Sequence, residues 1–234
     1  MTVVAGPGRR SATDEVFARL REEILTGRLA PGSQHSVYRL SAELGVSRTP
    51  VREAVLRLAD LGLVTIEKNR GIRVRGVHVE DVRDVFELRL LLEVPVAAAA
   101  ARGGDPVLPV RLREVLAAMR AAADEDDVPT FAQLDRSLHA ALGEAVGNAR
   151  LSQEVDRLRD SIQVRGVATF GRTRSMRDVA DEHEPIVAAV EAGDAAAAAS
   201  AMRDHLVRTA ALLIAQVGGP EAARDWERGR RIGQ

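Results

Sequence analysis

The chain has 234 residues, 46% of them hydrophobic and 29% charged, with a formal net charge of −1. That length suits one large domain or two smaller ones, and the apolar share argues against global disorder. The absence of cysteine excludes disulfides, thiolate metal sites and a cysteine nucleophile, while aromatics at only 3% leave a core of Leu, Val, Ile and Ala that favours helices over a sandwich or barrel.

No apolar run is as long as a membrane span, and no charged stretch leads into an apolar leader, so a soluble cytoplasmic protein is expected. The small net charge hides an asymmetry. Residues 1–76 hold 13 Lys/Arg against 8 Asp/Glu, a net of +5, and residues 77–234 hold 20 against 26, a net of −6. A basic module joined to an acidic one suggests that the first meets a polyanion, although charge alone leaves chance clustering open.

Along the chain, residues 1–12 combine Gly, Pro and Arg without period and read as a mobile tail. A helix follows over "TDEVFARLREEILTG", with Thr13 as its expected cap, Val16, Leu20 and Ile24 as its stripe and Gly27 as its stop. "LAPGS" reads as a turn, and His35, two residues beyond it, is also read as a turn residue. "SVYRLSAELG" is a short helix from Ser36 to Gly45. "VSRTPVREAVLRLADLGLV" is a third, capped by Ser47, tolerant of Pro50 in its first turn, with Val51, Val55 and Leu58 facing inward. "TIEKNRGIRVR" alternates around Asn69, Arg70 and Gly71, the pattern of a β-hairpin.

Helix, helix–turn–helix and hairpin make a winged helix-turn-helix over residues 13–76. The third helix sets Ser47, Arg48, Thr49 and Arg52 at its N-terminal end. There, arginines can reach guanine edges while hydroxyls and free N–H groups hold phosphates. The hairpin tip offers Lys68, Arg70 and Gly71 to the DNA backbone or minor groove. A well-capped helix with solvated arginines is the competing reading of "SRTPVRE" taken alone.

The second half reads as helices throughout. In "VEDVRDVFELRLLLEVPVAAAAA" the expected inward residues are Val82, Val85, Leu88 and Leu92, with a bend at Pro95. Further helices cover "PVLPVRLREVLAAMRAAA", "TFAQLDRSLHAALGEAVG", "NARLSQEVDRLRDSIQVRGVA", "RSMRDVADEHEPIVAAVEAG" and "DAAAAASAMRDHLVRTAALLIAQVG", the last capped by Asp194. His78 falls in a linker. Residues 218–234 read as a polar tail. The fold class is therefore mainly α: a winged helix-turn-helix with a two-stranded wing, then an all-helical bundle over residues 80–217.

Asp135 and His139 stand one helical turn apart beside an apolar stripe of Leu134, Leu138 and Leu142, so both side chains can converge on one point. His183 and His205 also sit beside apolar stripes, each in its own helix. Three imidazoles and a carboxylate suit a divalent ion, but spacing cannot bring three helices together, and satisfied core histidines explain each residue singly.

"LAPGSQHSVYRLSAELGVSRTPVREAVLRLADLGLVTIEKNRGIRVR" closely resembles the DNA-binding domain of GntR-family transcription regulators, from the Pro-Gly turn through Gly-Val-Ser-Arg-Thr-Pro-Val-Arg-Glu to the Asn-Arg-Gly wing. The resemblance implies that Arg48 and Arg52 touch bases or flanking phosphates and that Gly71 lets the wing tip approach the minor groove. Tyr38 and Arg39 depart from the usual pattern of the second helix.

"FELRLLLEVPVAAAAA", Asp135 with His139, "DEHEPIVAAVEAGD" and "AMRDHL" resemble the FCD-type effector domain of the FadR subfamily. That resemblance implies a metal held by Asp135, His139, His183 and His205, one divalent ion per chain, with Zn foremost and Mn or Ni as alternatives. It also implies a small carboxylate effector met by Arg89, although a salt bridge from Arg89 to Glu93 is the competing role. The expected partners are an inverted-repeat operator in double-stranded DNA and a second copy of the chain. The expected function is a ligand-responsive transcription regulator, a repressor released from DNA by an organic acid, and not an enzyme. A metal-dependent enzyme acting on a small acid, with Glu182 or Glu184 as base, and a constitutive DNA-binding dimer are the alternatives.

Overall fold

The computed structural model describes residues 11–68, 70–76, 78–163 and 174–228. Asn69, Val77, the first ten residues, residues 164–173 and the last six lie outside the described residues. The chain divides into two compact units, the first ending at Val77 and the second starting at His78.

The first unit runs α1 (Ala12–Leu25), β1 (Gln34–His35), α2 (Val37–Leu44), α3 (Arg48–Asp60), β2 (Val64–Glu67) and β3 (Gly71–Val74). Leu20 from α1, Leu40 from α2, Val51, Ala54, Val55 and Leu58 from α3, and Ile72 and Val74 from β3 close one apolar core. Ser36 accepts a hydrogen bond from the Arg39 N–H at the start of α2, and Gly45 ends that helix in the left-handed region.

Three details differ from the sequence reading. Ser11, not Thr13, caps α1. It forms a capping box with Asp14, while the Thr13 hydroxyl donates to Glu53 of α3 at 2.6 Å. The hairpin gains a third strand, because β1 pairs antiparallel with β3 in the order β1-β3-β2. His35 therefore belongs to a strand rather than a turn, and its ring meets the Ser33 hydroxyl at 2.7 Å. Gly71 explains the close fit. It has φ +96°, and a Cβ there would overlap the His35 carbonyl oxygen and lie 2.8 Å from Ser36 Cα.

The second unit is helical: α4 (Val79–Arg102), α5 (Val107–Asp124), α6 (Val128–Ala145), α7 (Ala149–Gln163), α8 (Met176–Glu191) and α9 (Ala195–Arg228). Among the described residues, no helix is long and apolar enough to cross a membrane. α4 packs against α6, α7, α8 and α9 and so forms the middle of the bundle. It runs through Pro95, and its buried face is Val82, Phe86, Arg89, Leu90, Glu93, Val96 and Ala97. That corrects the expected inward set. Leu88 is 48% exposed, and Val85 and Leu92 are half-buried, because the helix turns its Arg89–Glu93 pair inward.

His78 occupies the cap position of α4, its N–H donating to Asp81 at 3.0 Å. Asp127 caps α6, which starts at Val128, before Thr130. α9 is two helical segments joined at Gly219, whose φ is 83°. The expected tail from Gly218 is thus helical as far as Arg228. It packs back on α4, with Trp226 buried and Arg83 donating to the Ala222 carbonyl.

Candidate metal centre and nucleic-acid interface

The bundle brings His139 of α6, His183 of α8 and His205 of α9 together. Ring centroids lie 5.4 Å apart for His139 with either partner and 4.4 Å apart for His183 and His205. One ligand atom from each ring lies within 4.8 Å of the other two. All three rings are buried.

Hydrogen bonds fix the tautomers of two of them. His139 Nδ1 meets Glu93 Oε2 at 2.5 Å, and His183 Nδ1 meets the Val179 carbonyl at 2.7 Å. An ionised carboxylate and a carbonyl only accept, so both rings donate from Nδ1. Burial keeps the imidazoles neutral. It pushes His139 down to about 4, with Arg159 adding to the effect. Burial also lowers His183, against the pull of Asp135. The two Nε2 lone pairs then face each other at 3.3 Å, and Asp135 Oδ1 stands 3.4 Å from His183 Nε2.

His183 Nε2 therefore faces two other acceptors without a proton between them, which is unfavourable unless a cation is shared. The 3.3 Å separation is near the edge of a tetrahedron built on zinc–nitrogen bonds of roughly 2.0–2.1 Å. His205 is held well below its usual value first by burial and then by the neighbouring rings. Its Nδ1 is buried without a hydrogen bond, with Glu182 Oε2 at 3.5 Å. Nitrogen-rich, buried and with an orphaned ring nitrogen, the set fits a divalent transition ion.

Asp135 stands beside the triad and is already engaged, its Oδ2 accepting from Arg159 of α7. Burial would raise its carboxyl, but Arg159 first and then the histidines hold it far below the usual range. Arg89 shows the ion pair with Glu93, at 2.6 Å and with both side chains buried. Glu93 thus joins Arg89 to His139; Arg89 and Arg159 are buried cations beside the triad, and the shielded Arg174 pairs with Glu182 next to His205.

Sequence reasoning missed Arg159 and the bridging role of Glu93. Arg159 lies one turn after Val155, on the buried stripe of Val155, Leu158 and Ile162. A charged residue at an apolar position was the available signal.

In the first unit, Ser47, Arg48, Thr49 and Arg52 are all exposed around the first turns of α3, and Lys68 and Arg70 are exposed at the hairpin. Ser47 occupies the cap position without a side-chain capping bond. Gly71 is turned against β1.

Two family models match the chain: "FCD domain" over residues 84–208 and "Bacterial regulatory proteins, gntR family" over residues 12–74. A "Probable D-xylose utilization operon transcriptional repressor" of Paenarthrobacter nicotinovorans is 32% identical, covering 92% of this chain and 94% of the relative. The "HTH-type transcriptional repressor RspR" of Escherichia coli K12 is 27% identical, covering 82% and 84%. Among solved structures, E. coli McbR/YncC aligns with a TM-score of 0.60 at 22% identity, over 89% of this chain and 99% of that one.

Proposed function

The chain belongs to the gntR family of bacterial regulatory proteins, with an FCD domain and the work of a ligand-responsive DNA-binding regulator, and from that premise we propose how its ligand is held and read. His139, His183, His205 and Asp135 hold one divalent ion, zinc foremost, with manganese or nickel as alternatives. Such an ion would supply a Lewis-acidic point for a carboxylate. The clustering of the three buried imidazoles, with the Nε2 atoms of His139 and His183 at 3.3 Å, is the observation that carries this reading, and Asp135 beside His183 supports its fourth ligand.

The remaining residues prepare that point. Glu93 orients His139, the Val179 carbonyl orients His183, and Arg159 orients Asp135. Charge then selects the ligand. Arg89 and Arg159 balance Glu93 and Asp135, and Arg174 balances Glu182, so a divalent ion leaves an excess of two positive charges in a buried place. A small organic acid, singly or doubly ionised, offsets it, and the guanidiniums of Arg89 and Arg159 are the donors that recognise its second end.

Acid binding is read at the DNA. Ser47, Arg48, Thr49 and Arg52 at the start of α3 enter a major groove, while Lys68 and Arg70 meet the backbone, with Gly71 giving the wing its close turn. Two copies, paired through their helical units, meet an inverted repeat in the cytoplasm. The acid-bound form releases the operator, which makes the protein a repressor of the FadR subfamily. Exposed Leu88 and Leu91, one turn apart on α4, are the apolar patch that supports pairing.

The test is a thermal-shift panel of mono- and dicarboxylates against metal-loaded and chelator-stripped protein. Stabilisation by an acid only in the loaded protein is expected. Equal stabilisation of both forms would sink the metal-held acid.

A further inference from the structure

Tyr38 opens the question. It lies in the first turn of α2 and is 64% exposed, whereas Phe86, Phe131 and Trp226 are buried and Phe17 packs on the core of its unit. An aromatic ring left in water gains nothing from the core, and its neighbour is a cation: the Arg48 guanidinium carbon stands 5.0 Å from the ring centroid. Arg48 is the first residue of α3, and among the described residues no acid pairs with it.

We infer that Tyr38 is a positioning residue for Arg48 in operator recognition, holding the guanidinium over its ring face at the N-terminal end of α3. The inference rests on the reading of Arg48 as a DNA contact. The physical case is one of geometry. Stacking uses the flat face of a guanidinium and leaves its in-plane N–H donors free for a guanine edge or a phosphate. A carboxylate in the same place would consume those donors. Arginine also loses much rotamer freedom when it is fixed on DNA, and a ring that restrains it beforehand lowers that cost.

The experiment uses full-length protein and a duplex selected by it from random DNA, with affinity read by fluorescence anisotropy at fixed salt. Tyr38 is exposed, so its truncation opens no core. Tyr38→Ala is expected to weaken binding about two- to fivefold, the range of an exposed cation–π contact, and Tyr38→Phe to bind like the wild type. In an Arg48→Ala background, Tyr38→Ala should cost nothing further. Equal losses in Tyr38→Phe and Tyr38→Ala would assign the hydroxyl a direct DNA contact and overturn the inference. So would losses that multiply in the double variant, or a loss in Arg48→Ala with none in Tyr38→Ala. Unchanged binding by Arg48→Ala would overturn the Arg48 contact itself, and this inference with it.

Discussion

Glu93 is the residue on which most of the buried electrostatics turns. One oxygen accepts from Arg89 Nε at 2.6 Å and the other from His139 Nδ1 at 2.5 Å. Burial works against its charge, but Arg89 and then His139 hold its carboxyl well below the usual carboxylate range. Removing that charge has two separable effects. Glu93→Gln leaves Arg89 buried without a counter-charge, a loss of about 3–5 kcal/mol in denaturant unfolding. It also loosens the orientation of His139, so chelator competition should show metal affinity falling about 10–100-fold. Pairing Glu93→Gln with Arg89→Met removes the buried cation and restores most of the stability while leaving the metal affinity low. Recovery of both together would mean that Glu93 matters only as a counter-ion. At the site itself, His183→Ala with His205→Ala should abolish the ion, about one per chain in the wild type, in metal analysis of purified protein. Retained stoichiometry would place the ion elsewhere.

Caps and turns set the stability of the elements that carry these residues. α8, which holds His183, begins with a capping box: Asp178 accepts from the Ser175 N–H at 2.9 Å and from its hydroxyl at 2.8 Å. The Ser175 backbone bond first, and then its hydroxyl, lower the Asp178 carboxyl. A carboxyl lowered in the folded state stabilises it above its unfolded value, near pH 4, and that contribution disappears as pH falls through the folded value. Asp178→Ala should therefore lower stability at neutral pH and flatten its loss between about pH 4 and the acid limb, as seen in melts at stepped pH. Unchanged acid sensitivity would remove Asp178 from the account. Gly71→Ala tests β1 in the same way. It forces a side chain into the left-handed region against the His35 carbonyl, and about 1–3 kcal/mol should be lost without any DNA present. Such elements were unequally legible in the sequence. α2 and α3 are bounded by Ser36, Gly45 and Ser47, whose chemistry is local. β1 has two residues and exists only because β3 offers an edge, which no local pattern reveals. Counting apolar residues placed Leu88 inward on α4, but tertiary pairing turned Arg89 and Glu93 inward instead. Gly218-Gly219-Pro220 reads as a stop, yet only Gly219 leaves the helix and Trp226 is buried beyond it. Each candidate histidine was visible singly. Their convergence is a property of bundle packing, as are the Arg159 and Glu93 contacts.

For the whole molecule, the proposed action is a coupling between two sites carried by one chain. The exposed pair Leu88 and Leu91 tests the assembly this requires. Leu88→Asp with Leu91→Asp should shift sedimentation equilibrium from dimer to monomer, and operator affinity should fall because a single head meets only one half-site. An intact dimer in that variant would move the pairing face elsewhere. The coupling itself obeys a stricter rule. If an acid at the metal weakens operator binding by some factor, operator binding must weaken the acid by the same factor, because both describe one free-energy difference between two states. Such factors are typically about 5–150-fold. The experiment is isothermal titration of the acid into metal-loaded protein, alone and saturated with operator, beside operator titrations with and without acid. The two ratios should agree, and both should collapse to one after chelation, since the stripped site keeps its arginines but loses the point that holds the acid. A factor that survives chelation would assign recognition to Arg89 and Arg159 alone, and the ion would then be structural. A factor of one in the loaded protein would leave a DNA-binding dimer without an acid switch.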